Sequence, residues 1–271
     1  MRSTILAIAA VVSPLVQAAS LGQRSDVSIV ARSGNEQKAT TLNDDTINTA
    51  STHTGLEPEL NPEDGQYPSA TDDANFVNFC SGKTVTNGEM RNESSCSPIV
   101  MGDLPSTSNM ISTVITYPQH GDILTADEDF TVKIATKNLH TGAFTNPFGT
   151  FYSAPQQLDD DGLVIGHAHL TVQSIGDMKS TTPPDPEEFA WFAGLNKKAE
   201  DGVLSANVDG GLPAGVYRLC TLVAAANHQP VLMPVAQRGA QDDCVRFEVK
   251  GGENASDQDS EAGGLYVEVS V

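Results

Sequence analysis

Between residues 112 and 249 the chain repeats one local pattern. Short runs of β-branched and aromatic residues alternate with polar ones, and each run stops at Gly, Pro, Asn or Asp. Alternation at period two places one face of a strand on a core and the other toward solvent. Ser112-Thr113-Val114-Ile115-Thr116-Tyr117 is such a run, closed by Pro118. In 129–136, Phe130, Val132 and Ile134 share a face. Further runs lie at 163–173, 203–208, 215–223 and 244–249, and Gly121-Asp122 marks a turn. Strands at these intervals, with turn residues between them, predict an all-β chain, an immunoglobulin-like antiparallel β-sandwich.

One short helix is expected beside these strands. Asp185 can cap it, Pro186 sits at its first position, and Glu188 has capping-box spacing. Phe189, Trp191 and Phe192 would then pack against the sheet, with Trp191 as a structural anchor. Leu212-Pro213-Ala214-Gly215-Val216-Tyr217 resembles the tyrosine corner that opens the second-last strand of many immunoglobulin-like domains. Cys220 follows Tyr217 by three residues, not two, so it should face away from the position of the antibody-type cysteine.

The flanks read differently. Residues 1–18 have the form of a secretory signal peptide: Arg2, an apolar run from Ile5 to Val16, then Val16-Gln17-Ala18 at a cleavage position. Residues 19–72 are polar and acidic, with no sustained apolar period, and read as disordered. The sandwich is expected over 73–250, enough for a single core. Residues 251–271 read as a flexible tail whose last residues, Leu265 to Val271, alternate like a terminal strand. No later apolar run reaches the ~20 residues of a transmembrane helix.

Export would place the four cysteines in an oxidising compartment. Three pairings exist. Cys80–Cys96 with Cys220–Cys244 is favoured, because each bond closes a local loop worth about 3 kcal/mol. No Cys-x-x-Cys pair suggests thiolate metal binding. Asn92 and Asn254 each open a glycosylation sequon. The chain has 35 acidic residues against 15 basic ones, a formal charge of −20. That balance repels phosphate backbones and anionic membranes, so nucleic acid is not an expected partner.

The chemistry-bearing residues are histidines. His167 and His169 lie two apart on the 163–173 strand and so share a face, with Cα atoms roughly 6.5 Å apart. Gly166, Ala168, Leu170 and Val172 form the opposite, core-facing set. That leaves the two histidines on the polar face. His228, in Asn227-His228-Gln229-Pro230, could bring a third nitrogen, and Asp242 or Asp243 could add an oxygen or orient an imidazole. Three imidazoles suit zinc or copper. Six histidines are too few for the bridged two-metal site of copper-zinc superoxide dismutase. His53, His120 and His140 fall in segments expected to be solvated. Asp159-Asp160-Asp161-Gly162 reads as an acidic turn without the spaced ligands of an EF-hand. Neither Gly-x-Ser-x-Gly nor His-Glu-x-x-His occurs.

Several motifs carry a resemblance: Asn78-Phe79-Cys80-Ser81-Gly82-Lys83, Tyr152-Ser153-Ala154-Pro155-Gln156-Gln157-Leu158, Ile165-Gly166-His167-Ala168-His169, and Asn227-His228-Gln229-Pro230-Val231-Leu232-Met233-Pro234. Over 75–249 the chain resembles an uncharacterised family of secreted fungal proteins, some of them mislabelled as a small-subunit ribosomal protein. It is more faintly similar to bacterial immunoglobulin-like domains with a Gly-His-x-His strand. The resemblance implies export to the fungal surface or medium and implies no catalytic activity. Family members often have a further histidine before Gly239, where this chain has Arg238. The resulting expectation is a secreted, non-catalytic protein that acts by binding a cell-wall glycan, a host surface molecule, or a zinc or copper ion. The alternatives are a copper- or zinc-dependent metalloenzyme and a structural wall protein.

Overall fold

The computed structural model describes residues 38–61, 66 and 68–251. The expected signal peptide, Asn254 and the terminal strand at 265–271 lie outside them. Among the described residues nine strands form two sheets. The smaller has the order β1 (Ser112–Tyr117), β3 (Phe130–Lys137), β7 (Val203–Val208), and both of its pairings are antiparallel. The larger has the order β2 (Ile123–Thr125), β9 (Cys244–Lys250), β8 (Gly215–Ala225), β5 (Val164–Ser174), β4 (Leu139–His140). A further strand, β6 (Trp191–Leu195), pairs with β5 on the edge it shares with β4. The central β9–β8–β5 ladder is antiparallel, and only the short strands β2 and β4 join in parallel. This is the all-β immunoglobulin-like sandwich read from the alternation.

The alternating residues supply the core. Ile115 from β1, Val132 and Ile134 from β3, and Leu204 and Val208 from β7 belong to one buried cluster with the larger sheet. That sheet contributes Ala168, Leu170 and Val172 from β5, Leu219 and Val223 from β8, and Val245 and Phe247 from β9. Phe247 stacks on Tyr217 at 5.7 Å and meets Phe130 edge-on at 6.3 Å, so aromatic contacts link the sheets. The Tyr217 hydroxyl donates to the Pro213 carbonyl at 2.9 Å, which makes the tyrosine corner. Disulfides join Cys80 to Cys96 and Cys220 to Cys244. The second links directly opposed residues of β8 and β9, within one sheet.

The helix expected after Asp185 does not form. The Asp185 carboxylate does accept from the Glu187 N–H at 2.9 Å, and its carbonyl accepts from Glu188. The cap therefore closes only a turn. From Trp191 the chain runs as β6 along the open edge of β5, where Trp191 opposes Val172 and is buried. Aromatic residues with access to an unpaired strand edge gain ladder hydrogen bonds as well as burial, and this overrides a helix-start signal. The helix among the described residues is instead a single turn, α1 (Pro147–Thr150), capped by the Asn146 side chain on the Phe148 N–H. Within the segment read as disordered, residues 44–60 take three short 3-10 turns. Asn75 ties to them through the Asn48 N–H and the Thr46 carbonyl.

Candidate metal centre

The outer face of β5 carries Ile165, His167, His169 and Thr171. The apolar set faces the core as expected, but the histidine face is not solvated. His167 has no exposed surface, and Ile165 and His228 are also buried. The cover is the loop that runs from β4 through α1 to β5. Ala143 donates its N–H to the Gly166 carbonyl at 3.2 Å, and Thr145 donates to the Ala226 carbonyl at 2.9 Å. This extended piece lies along the end of β5 and the turn after β8. The Asn227 amide anchors the turn to α1 through the Thr150 carbonyl at 2.9 Å and the Ser153 hydroxyl at 3.2 Å. His228 sits in that turn with φ of +72°, a region that histidine and asparagine enter more often than other non-glycine residues.

The same two loop residues orient the imidazoles. His167 Nδ1 lies 3.1 Å from the Ala143 carbonyl oxygen, and His228 Nε2 lies 2.7 Å from the Thr145 carbonyl oxygen. A carbonyl only accepts, so each of these nitrogens carries the hydrogen. In a neutral ring the opposite nitrogens, His167 Nε2 and His228 Nδ1, are then lone-pair acceptors. They face each other at 3.1 Å, and His169 Nε2 lies 3.0 Å from His167 Nε2. Each histidine thus offers one ring nitrogen, and the three lie within 4.8 Å of one another, close enough together to hold one metal ion. Zinc or copper at ~2.0–2.1 Å from each nitrogen in tetrahedral geometry would need nitrogens about 3.3 Å apart, a few tenths of an ångström wider than the two contacts of His167.

The surroundings favour the neutral form of His167 and His169. Burial, then the neighbouring His169 and His228, lower His167 to about 3. Burial, then His228, lower His169 to about 4. Phe144 meets His167 edge-on at 6.0 Å, Phe151 stacks on His228 at 6.0 Å, and Phe192 lies against His169 at 5.5 Å. A carbonyl-oriented neutral imidazole in an apolar shell is the usual condition of a metal ligand. His169 is the half-buried member. It lies in register between Leu222 of β8 and Gly194 of β6, and the Asn196 side chain fills the space beside Gly194.

Gly166 has a steric reason to precede His167. A Cβ there would run into the Ala224 carbonyl oxygen across the β5–β8 ladder. Asp242 and Asp243 do not reach the centre. Asp242 accepts from the Thr221 hydroxyl at 3.0 Å and the Val223 N–H at 2.7 Å. Asp243 accepts from the Ile115 N–H at 2.8 Å, tying β1 to the start of β9. Short loops bring each carboxylate to an unpaired backbone donor before it could reach an imidazole. His140, expected to be solvated, instead pairs through Nδ1 with Asp159 at 2.7 Å. Asp159 also closes the acidic turn by accepting from the Asp161 and Leu163 N–H groups. His53 and His120 are exposed. The orienting carbonyls of Ala143 and Thr145 carry no sequence signature.

The sequence of residues 113–250 matches the model of the CLU5d N-terminal domain family. The chain belongs to this family. It is 48% identical over 209 residues to Pathogenicity cluster 5 protein d of the fungus Colletotrichum graminicola, an alignment covering 76% of this chain and 43% of that protein. The chain thus spans less than half the length of that relative. Among solved structures it is similar to fibronectin(III)-like modules of Clostridium thermocellum CbhA. That match has 10% identity and a TM-score of 0.29, covering 56% of this chain and 52% of that one. A family 123 glycoside hydrolase from Clostridium perfringens matches at 11% identity with a TM-score of 0.21, covering 52% of this chain and 28% of that one. Neither score bears on activity. Among the described residues no helix is long and apolar enough to cross a membrane.

Proposed function

We propose that this chain is an exported fungal protein that acts by binding, and that His167, His169 and His228 hold a zinc or copper ion. The observation that carries the reading is the pair of lone pairs opposed at 3.1 Å between His167 and His228. Each is set by a hydrogen bond on the far side of its ring. One N–H from His169 can satisfy only one of them, whereas a single cation satisfies all three nitrogens. Soft or borderline ions with a preference for imidazole fit this donor set, and calcium or magnesium do not. Two disulfides suit an oxidising compartment. Exposed Asn92 is available as a glycan acceptor. The ion would serve capture of the metal or recognition of a wall glycan or host surface molecule.

A second reading, a metalloenzyme using the same ion, is favoured by one feature. Three protein ligands leave a coordination position free, and His169 lies half-buried at the rim. The test begins with the full chain, stripped of metal and titrated with zinc and with copper by calorimetry. The expected result is one-to-one binding that weakens at least ~10-fold in His167→Ala. Equal binding by both proteins, or none by either, would refute the site. A bound ion that exchanges an external imidazole or azide, together with turnover, would move the assignment to the enzyme.

A further inference from the structure

A second site lies elsewhere on the outer face of the larger sheet. Arg218 of β8 and Arg246 of β9 are directly opposed in the antiparallel ladder. Their neighbours Tyr217, Leu219, Val245 and Phe247 point into the core, so both guanidinium groups project outward on the same face. Like charges at directly opposed positions repel. A chain with 35 carboxylates for 15 basic side chains could readily have placed an acid between them. Among the described residues it has not. The nearest same-face acid on β9, Glu248, pairs with Lys250. Gln173, opposite Arg218 on β5, spends its amide N–H groups on the Asp185 and Glu188 carbonyls.

The two arginines form part of the wall of a cavity of about 270 Å³. Arg246 Nη1 holds the opposite wall in place by donating to the Met178 carbonyl at 2.8 Å and the Ser180 carbonyl at 2.9 Å. Ser180, Thr181, Thr182, Pro183 and Pro184 of that wall line the same space, and the Ser180 hydroxyl itself bonds within the wall to the Thr182 backbone. Among the described residues, Arg218 is committed only to a weak contact with the Cys244 sulfur at 3.3 Å. Two guanidinium groups side by side on one wall of a small cavity, one of them almost free, form a receptor for an oxyanion.

We propose that this cavity binds a small molecule through a carboxylate or phosphate group seated between Arg218 and Arg246. The anion relieves the repulsion between the two guanidinium groups, and the proline wall takes the rest of the molecule. This site is independent of the histidine centre. The test follows thermal unfolding of the full chain in inorganic phosphate, sulfate and malonate, each matched in ionic strength with chloride.

Saturable stabilisation beyond chloride is expected, because a ligand of the folded state raises the midpoint by mass action. The ranking of malonate against phosphate and sulfate identifies the preferred oxyanion. Arg218→Gln should weaken the effect at least ~10-fold, and Arg218→Lys, which keeps the charge but loses the fork, should fall between. In chloride alone, Arg218→Gln should melt no lower than the natural protein, since it removes the repulsion. A cooperative unfolding transition and an unchanged far-ultraviolet circular dichroism spectrum report that the variant is folded. No stabilisation beyond chloride, or equal stabilisation in the natural protein and both variants, would overturn the proposal.

Discussion

His167 Nε2 and His228 Nδ1 face each other at 3.1 Å, and the far nitrogen of each ring is held by a carbonyl two residues from the other along the same loop. Ala143 and Thr145 thereby set both tautomers. Their own N–H groups bond to the Gly166 and Ala226 carbonyls, immediately before His167 and close before His228. The backbone pairing that places the loop also aims the imidazoles. Four consequences can be measured.

The metal-free protein should weaken in mild acid. His167 and His169 sit near 3 and 4 in the folded state, against an ordinary 6.5 in the unfolded chain. Above 6.5 both states are neutral and nothing is lost. As pH falls below 6.5 the unfolded chain takes up protons that the folded one refuses, so stability drops until the folded values are reached. At pH 5 the loss is about 2 kcal/mol for each ring. Urea unfolding of stripped protein at pH 7 and pH 5 measures it, and His167→Ala should show the smaller difference.

Gly166→Ala should damage the fold and the centre together. Its methyl group would strike the Ala224 carbonyl and push β5 from β8 beside His167. Overpacking of this kind costs about 1–3 kcal/mol. A lower urea midpoint with weaker metal binding is expected. Unchanged values would show that the ladder gives way without moving His167.

Asn227→Ala should loosen the turn that carries His228. It removes the donors to the Thr150 carbonyl and the Ser153 hydroxyl, at a cost of about 1–3 kcal/mol. Because His228 holds a left-handed φ in that turn, metal affinity should fall with stability. Calorimetry on Asn227→Ala and Asn227→Asp should show weaker binding in both, because aspartate also lacks the donor. An aspartate variant with unchanged affinity would show that the amide donor does not hold the turn.

Opening the Cys220–Cys244 bond should cost about 3 kcal/mol, the loop-closure value for residues 24 apart. The bond lies in the ladder beside Thr171, two residues beyond His169, so paired serine substitutions should lower the thermal midpoint and leave metal stoichiometry unchanged. A loss of stoichiometry would show that the bond positions the histidines.

Much of this architecture was legible in the residues. Period-two alternation located six of the nine strands, since burial on one face imposes it directly. The tyrosine corner was readable because its hydrogen bond is local. The strand β6 was not, because Asp185-Pro186 carries a helix-start signal and the deciding fact is a free edge on β5, set by pairing elsewhere. Strands β2 and β4 were missed for a related reason. At three and two residues they are too short to show a period, and they exist because a parallel neighbour offers partners.

The His-x-His spacing alone determined that His167 and His169 share a face, because side chains on a strand alternate. Core burial of Ala168, Leu170 and Val172 then determined which face. Tertiary structure decided that this face is covered, that His228 arrives 3.1 Å from His167, and that Asp242 and Asp243 are used elsewhere. Those outcomes depend on loop backbone whose N–H and C=O groups are the same in every residue but proline. A carbonyl can orient an imidazole without leaving a trace in the sequence, and only the fold shows which carbonyl it is.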